Sequence, residues 1–154
     1  MKKIACLILQ LTILMSLSAQ QKTGLFEQRT DVGDPKIKGS VVYNSQTQEY
    51  TMEGSGINMW ANSDQFNFLW KKIKGDFMIT ATIRFIGKGV NEHRKIGIIA
   101  RNSLDANSKY ADACVHGSIL TSLQYREADG GETKEVQLSS YHPTDIMLER
   151  KGNI

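Results

Sequence analysis

Six polar residues in the second half of the chain share a pattern that could do chemistry. Arg84, Arg101, Asp112, His116, Gln124 and Arg126 each fall on the face of an alternating segment opposite that segment's apolar residues. Side chains two apart along a strand share a face. If the segments are neighbours, the six residues build one polar sheet surface of guanidinium, carboxylate, imidazole and amide groups. Planar donors and acceptors of this kind suit sugar hydroxyls when an aromatic ring lies beside them. Trp60, Tyr110 and Tyr125 are the candidate rings, although Tyr125 alternates to the apolar side. The competing reading is a solvated outer face laced with Arg–Asp pairs, because an antiparallel sheet commonly keeps one face wet. Trp60 and Trp70 also compete for places in the core on size alone.

Other chemistry is thinner. Glycoside hydrolysis needs two carboxylates across the scissile bond. Glu132 and Glu135 are three apart, which puts them on opposite faces of a strand, and Glu149 stands alone, so all three are expected to be solvated acids. His93, His116 and His142 lack paired ligand spacing. The run from Asp105 begins like a calcium loop but places Lys109 where an oxygen ligand belongs. Asp31 and Asp34 with loop carbonyls form a weaker calcium alternative. Cys114 has no surrounding pattern of a reactive thiol and reads as a small core residue. No catalytic residue, metal or cofactor is assigned, and the chain is expected not to be an enzyme.

The elements that must position these residues are strands. Lys95–Arg101, Tyr110–His116, Leu120–Arg126, Thr133–Leu138 and Asp145–Arg150 alternate apolar and polar residues, the period of a half-buried strand. Asp129-Gly-Gly131 is a hairpin signal. Upstream, Leu25–Arg29, Gly39–Tyr43 and Tyr50–Glu53 read as short strands, with a turn over Asp31–Pro35. The clearest alternation is in Gln65–Trp70 and Asp76–Phe85, which read as a central hairpin joined by a Lys-rich turn. Phe66, Phe68, Phe77, Ile79 and Ile83 are expected to form much of the core. No helical stripe follows the first residues. About ten short strands predict an all-β, antiparallel β-sandwich.

The first 19 residues read as a signal peptide. Lys2 and Lys3 precede the apolar run Ile4–Leu17, with cleavage after Ala19. The mature domain is then 20–154, exported to the periplasm or beyond, without stable membrane insertion. The 19 basic residues less Lys2 and Lys3 leave 17 against 16 acidic ones. A balance that close to neutral argues against nucleic acid as a partner. Cys6 leaves with the signal, so Cys114 has no disulfide partner.

Several runs carry a resemblance: GSVVY, GSGINMW, DQFNFLWKKIKGDF, RFIGKGV, HRKIG, ARNSLD, LTSLQYRE and LERKGN, from Gly39 to Asn153. In these motifs the chain resembles secreted bacterial proteins with an N-terminal concanavalin A-like jelly-roll domain of the regulation-of-enolase type. That family is often labelled biopolymer transporter and often carries a C-terminal Tol-type propeller. The resemblance implies a jelly roll of a type used for glycan binding. It also implies further strands after LERKGN, so the domain is expected to be partial, incomplete at its C-terminus, and to self-associate through an open sheet edge. The expected partner is a glycan or other extracellular polymer. The alternative is a structural or protein-interaction domain serving an envelope protein.

Overall fold

The computed structural model describes residues 23–138 and 144–152. The expected signal segment, Cys6, His142, the loop at Pro143 and Asn153 lie outside the described residues. Among the described residues twelve strands follow one another: β1 (Gln28–Val32), β2 (Ser40–Asn44), β3 (Glu49–Glu53), β4 (Met59–Trp60), β5 (Ser63–Asp64), β6 (Phe66–Trp70), β7 (Phe77–Thr82), β8 (Lys95–Arg101), β9 (Tyr110–His116), β10 (Thr121–Arg126), β11 (Lys134–Leu138) and β12 (Asp145–Arg150). The fold is all β, in antiparallel sheets consistent with a sandwich. The largest sheet runs β11-β10-β9-β8, and β1–β6, β12–β7, β2–β3 and β4–β5 form two-stranded ladders. Among the described residues no helix is long and apolar enough to cross a membrane.

Strands β8, β9 and β12 begin and end where the alternation predicts. The Asp129–Gly131 turn joins β10 to β11, with Gly130 at φ 73°. At the other end of the chain the expected turn at Asp31–Pro35 starts later, since β1 runs to Val32 before Gly33 and Asp34 turn with positive φ.

The expected central hairpin does not form. β6 pairs with β1, Val32 opposite Phe66, whereas β7 pairs with β12, Phe77 opposite Arg150. Alternation establishes that a segment is a strand but leaves its neighbour open. In β6 the buried residue is Leu69, on the face opposite the half-buried Phe66, Phe68 and Trp70. That strand has apolar groups on both faces, so it cannot be the half-solvated arm of a hairpin. Phe77, Ile79 and Ile83 keep their period of two but are also only half-buried. The buried apolar side chains are instead Val32, Val41, Leu69, Val115, Ile146 and Leu148, with Tyr110 and Cys114.

The short β4–β5 hairpin was not foreseen, since strands of two residues have no readable period. Its position depends on a close approach by the turn after β1. Gly33 has φ 71°, and a Cβ built there would lie 2.1 Å from the Asp64 carbonyl oxygen. Gly33→Ala therefore combines left-handed strain with a backbone clash. It is expected to cost about 2 kcal/mol or more in urea unfolding, and a change below about 0.5 kcal/mol would contradict this role for the turn.

Candidate binding face

The register of the four-stranded sheet collects polar side chains on one face. Across β8 and β9, Lys95 lies opposite His116, Gly97 opposite Cys114, Ile99 opposite Asp112 and Arg101 opposite Tyr110. Across β9 and β10, Cys114 faces Ser122, Asp112 faces Gln124 and Tyr110 faces Arg126. On β11, Glu135 lies opposite Gln124. Directly opposed residues share a face. The structure thus brings Arg101, Asp112, His116, Gln124 and Arg126 together and adds Lys95, Ser122 and Glu135. Trp60, at the tip of β4, is 40% exposed and its ring centroid lies 5.6 Å from Lys95 Nζ. Arg84 does not join them. It follows β7, which belongs to the β12 ladder, and it makes an exposed ion pair with Glu49 at 3.6 Å. Glu135 corrects the expectation of a solvated acid, since its Oε1 accepts a 2.9 Å hydrogen bond from Gln124 Nε2. Tyr110 is buried rather than displayed, with its hydroxyl 3.2 Å from Thr133 Oγ1.

The face is turned inward, contrary to a solvated outer surface. Gln124 is 0%, Arg126 1%, Asp112 2% and His116 3% exposed. The β4–β5 hairpin crosses it as a strap. At one end Lys95 Nζ donates to Asn58 Oδ1 (3.1 Å) and to the Met59 carbonyl (2.7 Å). In the middle the Ala61 carbonyl accepts from Arg126 Nη2 (3.0 Å) and from Thr133 Oγ1 (2.9 Å). At the other end Asp64 accepts two 2.9 Å bonds from Arg126 Nη1 and Nη2. Arg126 also donates to the carbonyls of Ser108 (3.0 Å) and Gly131 (2.9 Å). Arg101 Nη2 stands 3.6 Å from the same Asp64 carboxylate.

Asp64 is thus the residue that orders the site, and the sequence reading missed it. The available signal was indirect: two arginines on an otherwise mixed face need a buried counter-charge. Asp64→Ala would leave Arg126 buried without one. It is expected to cost about 3–5 kcal/mol, read by chemical denaturation. A loss under about 1 kcal/mol would contradict the buried pair.

Beyond this pair the face holds a second cluster. Gln124 Nε2 lies 3.3 Å from His116 Nε2, and the Gln124 backbone N–H donates to Asp112 Oδ1 at 3.3 Å. Cys114 Sγ lies 3.6 Å from both His116 Nε2 and Ser122 Oγ. Burial pushes the Asp112 carboxyl up to about 7 and the Cys114 thiol far above its usual range. The same desolvation, with Lys95 nearby, pushes His116 down to about 4. At neutral pH the thiol is protonated and the imidazole uncharged, so the pair is not an activated nucleophile. Four atoms of these buried side chains have no hydrogen-bonding partner among the described residues: Arg101 Nη1, Asp112 Oδ2, His116 Nδ1 and Gln124 Oε1. A shallow recess of about 400 Å³, lined by Thr80, Ala81, Thr82, Asp145, Ile146 and Met147, shares no residue with this face.

No protein-family model, curated protein or solved structure matches the chain.

Asp112 and His116 give opposite pH dependences. Folded Asp112 keeps a proton that the unfolded chain loses near 3.8, so its contribution falls as pH rises from there to about 7. Folded His116 refuses a proton that the unfolded chain takes near 6.5, so its contribution rises between about 4 and 6.5. Asp112→Asn should therefore leave a melting temperature that climbs over this window. His116→Gln should leave one that falls. Scanning calorimetry across pH would show the two curves diverging, and parallel curves would contradict the assignment.

Proposed function

We propose that the chain is a non-catalytic, exported β-sandwich module that binds a glycan or another extracellular polymer through the polar face of the four-stranded sheet. The observation that carries this reading is the set of four buried, unpartnered polar atoms on Arg101, Asp112, His116 and Gln124. An unsatisfied buried polar group costs about 1–3 kcal/mol. Buried polar groups are normally paired with protein, water or a ligand. Sugar hydroxyls, each both donor and acceptor, are suited to complete such a set. Trp60, exposed at the margin of the face, offers a ring for the apolar side of a sugar.

The motif resemblance between Gly39 and Asn153 supports a concanavalin A-like jelly roll as the finer fold, and with it a glycan as the ligand class. Access requires the Asn58–Trp60 end of the strap to lift from Lys95, while Asp64 at the other end stays held by Arg126. Each of the strap's strands has only two residues, and movements of this size accompany binding in a substantial minority of complexes. The protonated thiol of Cys114 and the uncharged imidazole of His116 support binding over catalysis.

A second reading rests on a different surface. Leu123, Val136 and Leu138 are exposed on the other face of β10 and β11, and β11 pairs with β10 alone among the described strands. An apolar patch beside an edge strand suits a protein partner or a second copy.

Co-sedimentation of the full chain with insoluble polysaccharides separates the two. The first reading predicts retention that Trp60→Ala weakens about tenfold or more without lowering the melting temperature. Retention equal in both proteins would remove Trp60 from the site. Absence of retention on any polysaccharide, with binding to an envelope protein lost in Val136→Lys, would favour the second reading.

A further inference from the structure

The charge on the polar face narrows the ligand class, an inference that rests on the binding reading above. Three cations, Lys95, Arg101 and Arg126, share the region with three carboxylates, Asp64, Asp112 and Glu135. The cations are already engaged. Arg126 is held bidentate by Asp64, and Lys95 Nζ donates to Asn58 and Met59. Arg101 Nε donates to the Ser103 carbonyl at 2.7 Å and Nη2 to the Asp105 carbonyl, leaving Nη1 alone without a partner.

The unmet atoms are of mixed kind. Arg101 Nη1 can only donate. Gln124 Oε1 can only accept. Asp112 Oδ2 accepts when ionised and donates when protonated, and His116 Nδ1 donates, because its Nε2 receives the Gln124 amide N–H and the uncharged ring then carries its proton on Nδ1. A carboxylate or sulfate on a ligand would satisfy Arg101 and His116 but would set acceptor against acceptor at Gln124. It would also approach the charge of Glu135. A cationic group would leave Arg101 unmet and meet three cations. A hydroxyl fits each atom in turn, because it donates and accepts. We infer that the face selects an uncharged, hydroxyl-rich polysaccharide over uronate-bearing or sulfated ones, despite its arginines and lysine.

The test is affinity electrophoresis of the full chain in gels containing laminarin, mixed-linkage β-glucan or galactomannan, against polygalacturonate, alginate or heparin, at low and high ionic strength. The expected result is retardation by at least one neutral polymer, about tenfold stronger than by any anionic one and unchanged by salt. Salt would weaken an exposed ionic contact. Equal or preferential retardation by the anionic polymers, lost at high salt, would overturn this inference and keep the glycan reading. No retardation by either class would overturn the glycan reading, and this inference with it.

Discussion

The arrangement depends on one buried ion pair. Asp64 and Arg126 are 62 residues apart in sequence, both shielded from solvent, and joined by two hydrogen bonds of 2.9 Å. Taking two charges out of water costs several kcal/mol each, and close geometry with full hydrogen bonding is needed to offset it. The guanidinium meets that condition through the carbonyls of Ala61, Ser108 and Gly131 and the hydroxyl of Thr133. Those partners come from the β4–β5 strap, the β8–β9 loop and the region between β10 and β11. The pair is therefore a registration point for three separate segments, the use for which buried ionic groups are best attested. Arg101 leans on the same carboxylate and draws the end of β8 into the arrangement.

That pair sits on the polar face of the large sheet, which is covered on both sides at β9, since Val115 on the apolar face is buried as well. Its polar face is buried, while Leu123, Val136 and Leu138 on the other face remain open. A sheet that hides Gln124, Asp112 and His116 gains little hydrophobic stabilisation from that side and must satisfy its polar atoms by hydrogen bonds. Most are satisfied within the sheet: Gln124 reaches Glu135 and Asp112, and Cys114 sits between His116 and Ser122. The four atoms that are not define where a ligand's hydroxyls would go.

Much of this was legible in the sequence, and the failures have physical causes. β8, β9 and β12 each alternate over six or seven residues, long enough for the period to fix their bounds and faces. Short connections made β8, β9 and β10 neighbours, so Arg101, Asp112, His116, Gln124 and Arg126 fell on one face as the alternation predicted. Arg84 alternated equally well, but its strand found its partner in β12, far away in sequence, which no local period encodes. Asp64 lies in a two-residue strand with no period at all. Alternation also says that two faces differ without saying which turns inward. The long-range Asp64–Arg126 pair and the strap cover the polar side, while Val115 on the apolar side is buried too, and no local period encodes either cover.

The most direct test follows the side-chain N–H signals of Gln124 and Trp60 by two-dimensional NMR while neutral oligosaccharides (gluco-, xylo- and manno-series) are added to the full chain. The account predicts that the Gln124 amide and the Trp60 indole shift together and saturably with at least one series, while the signals of β2 and β3 stay in place. Shifts confined to other surfaces, or none with any series, would contradict a binding face beneath the strap.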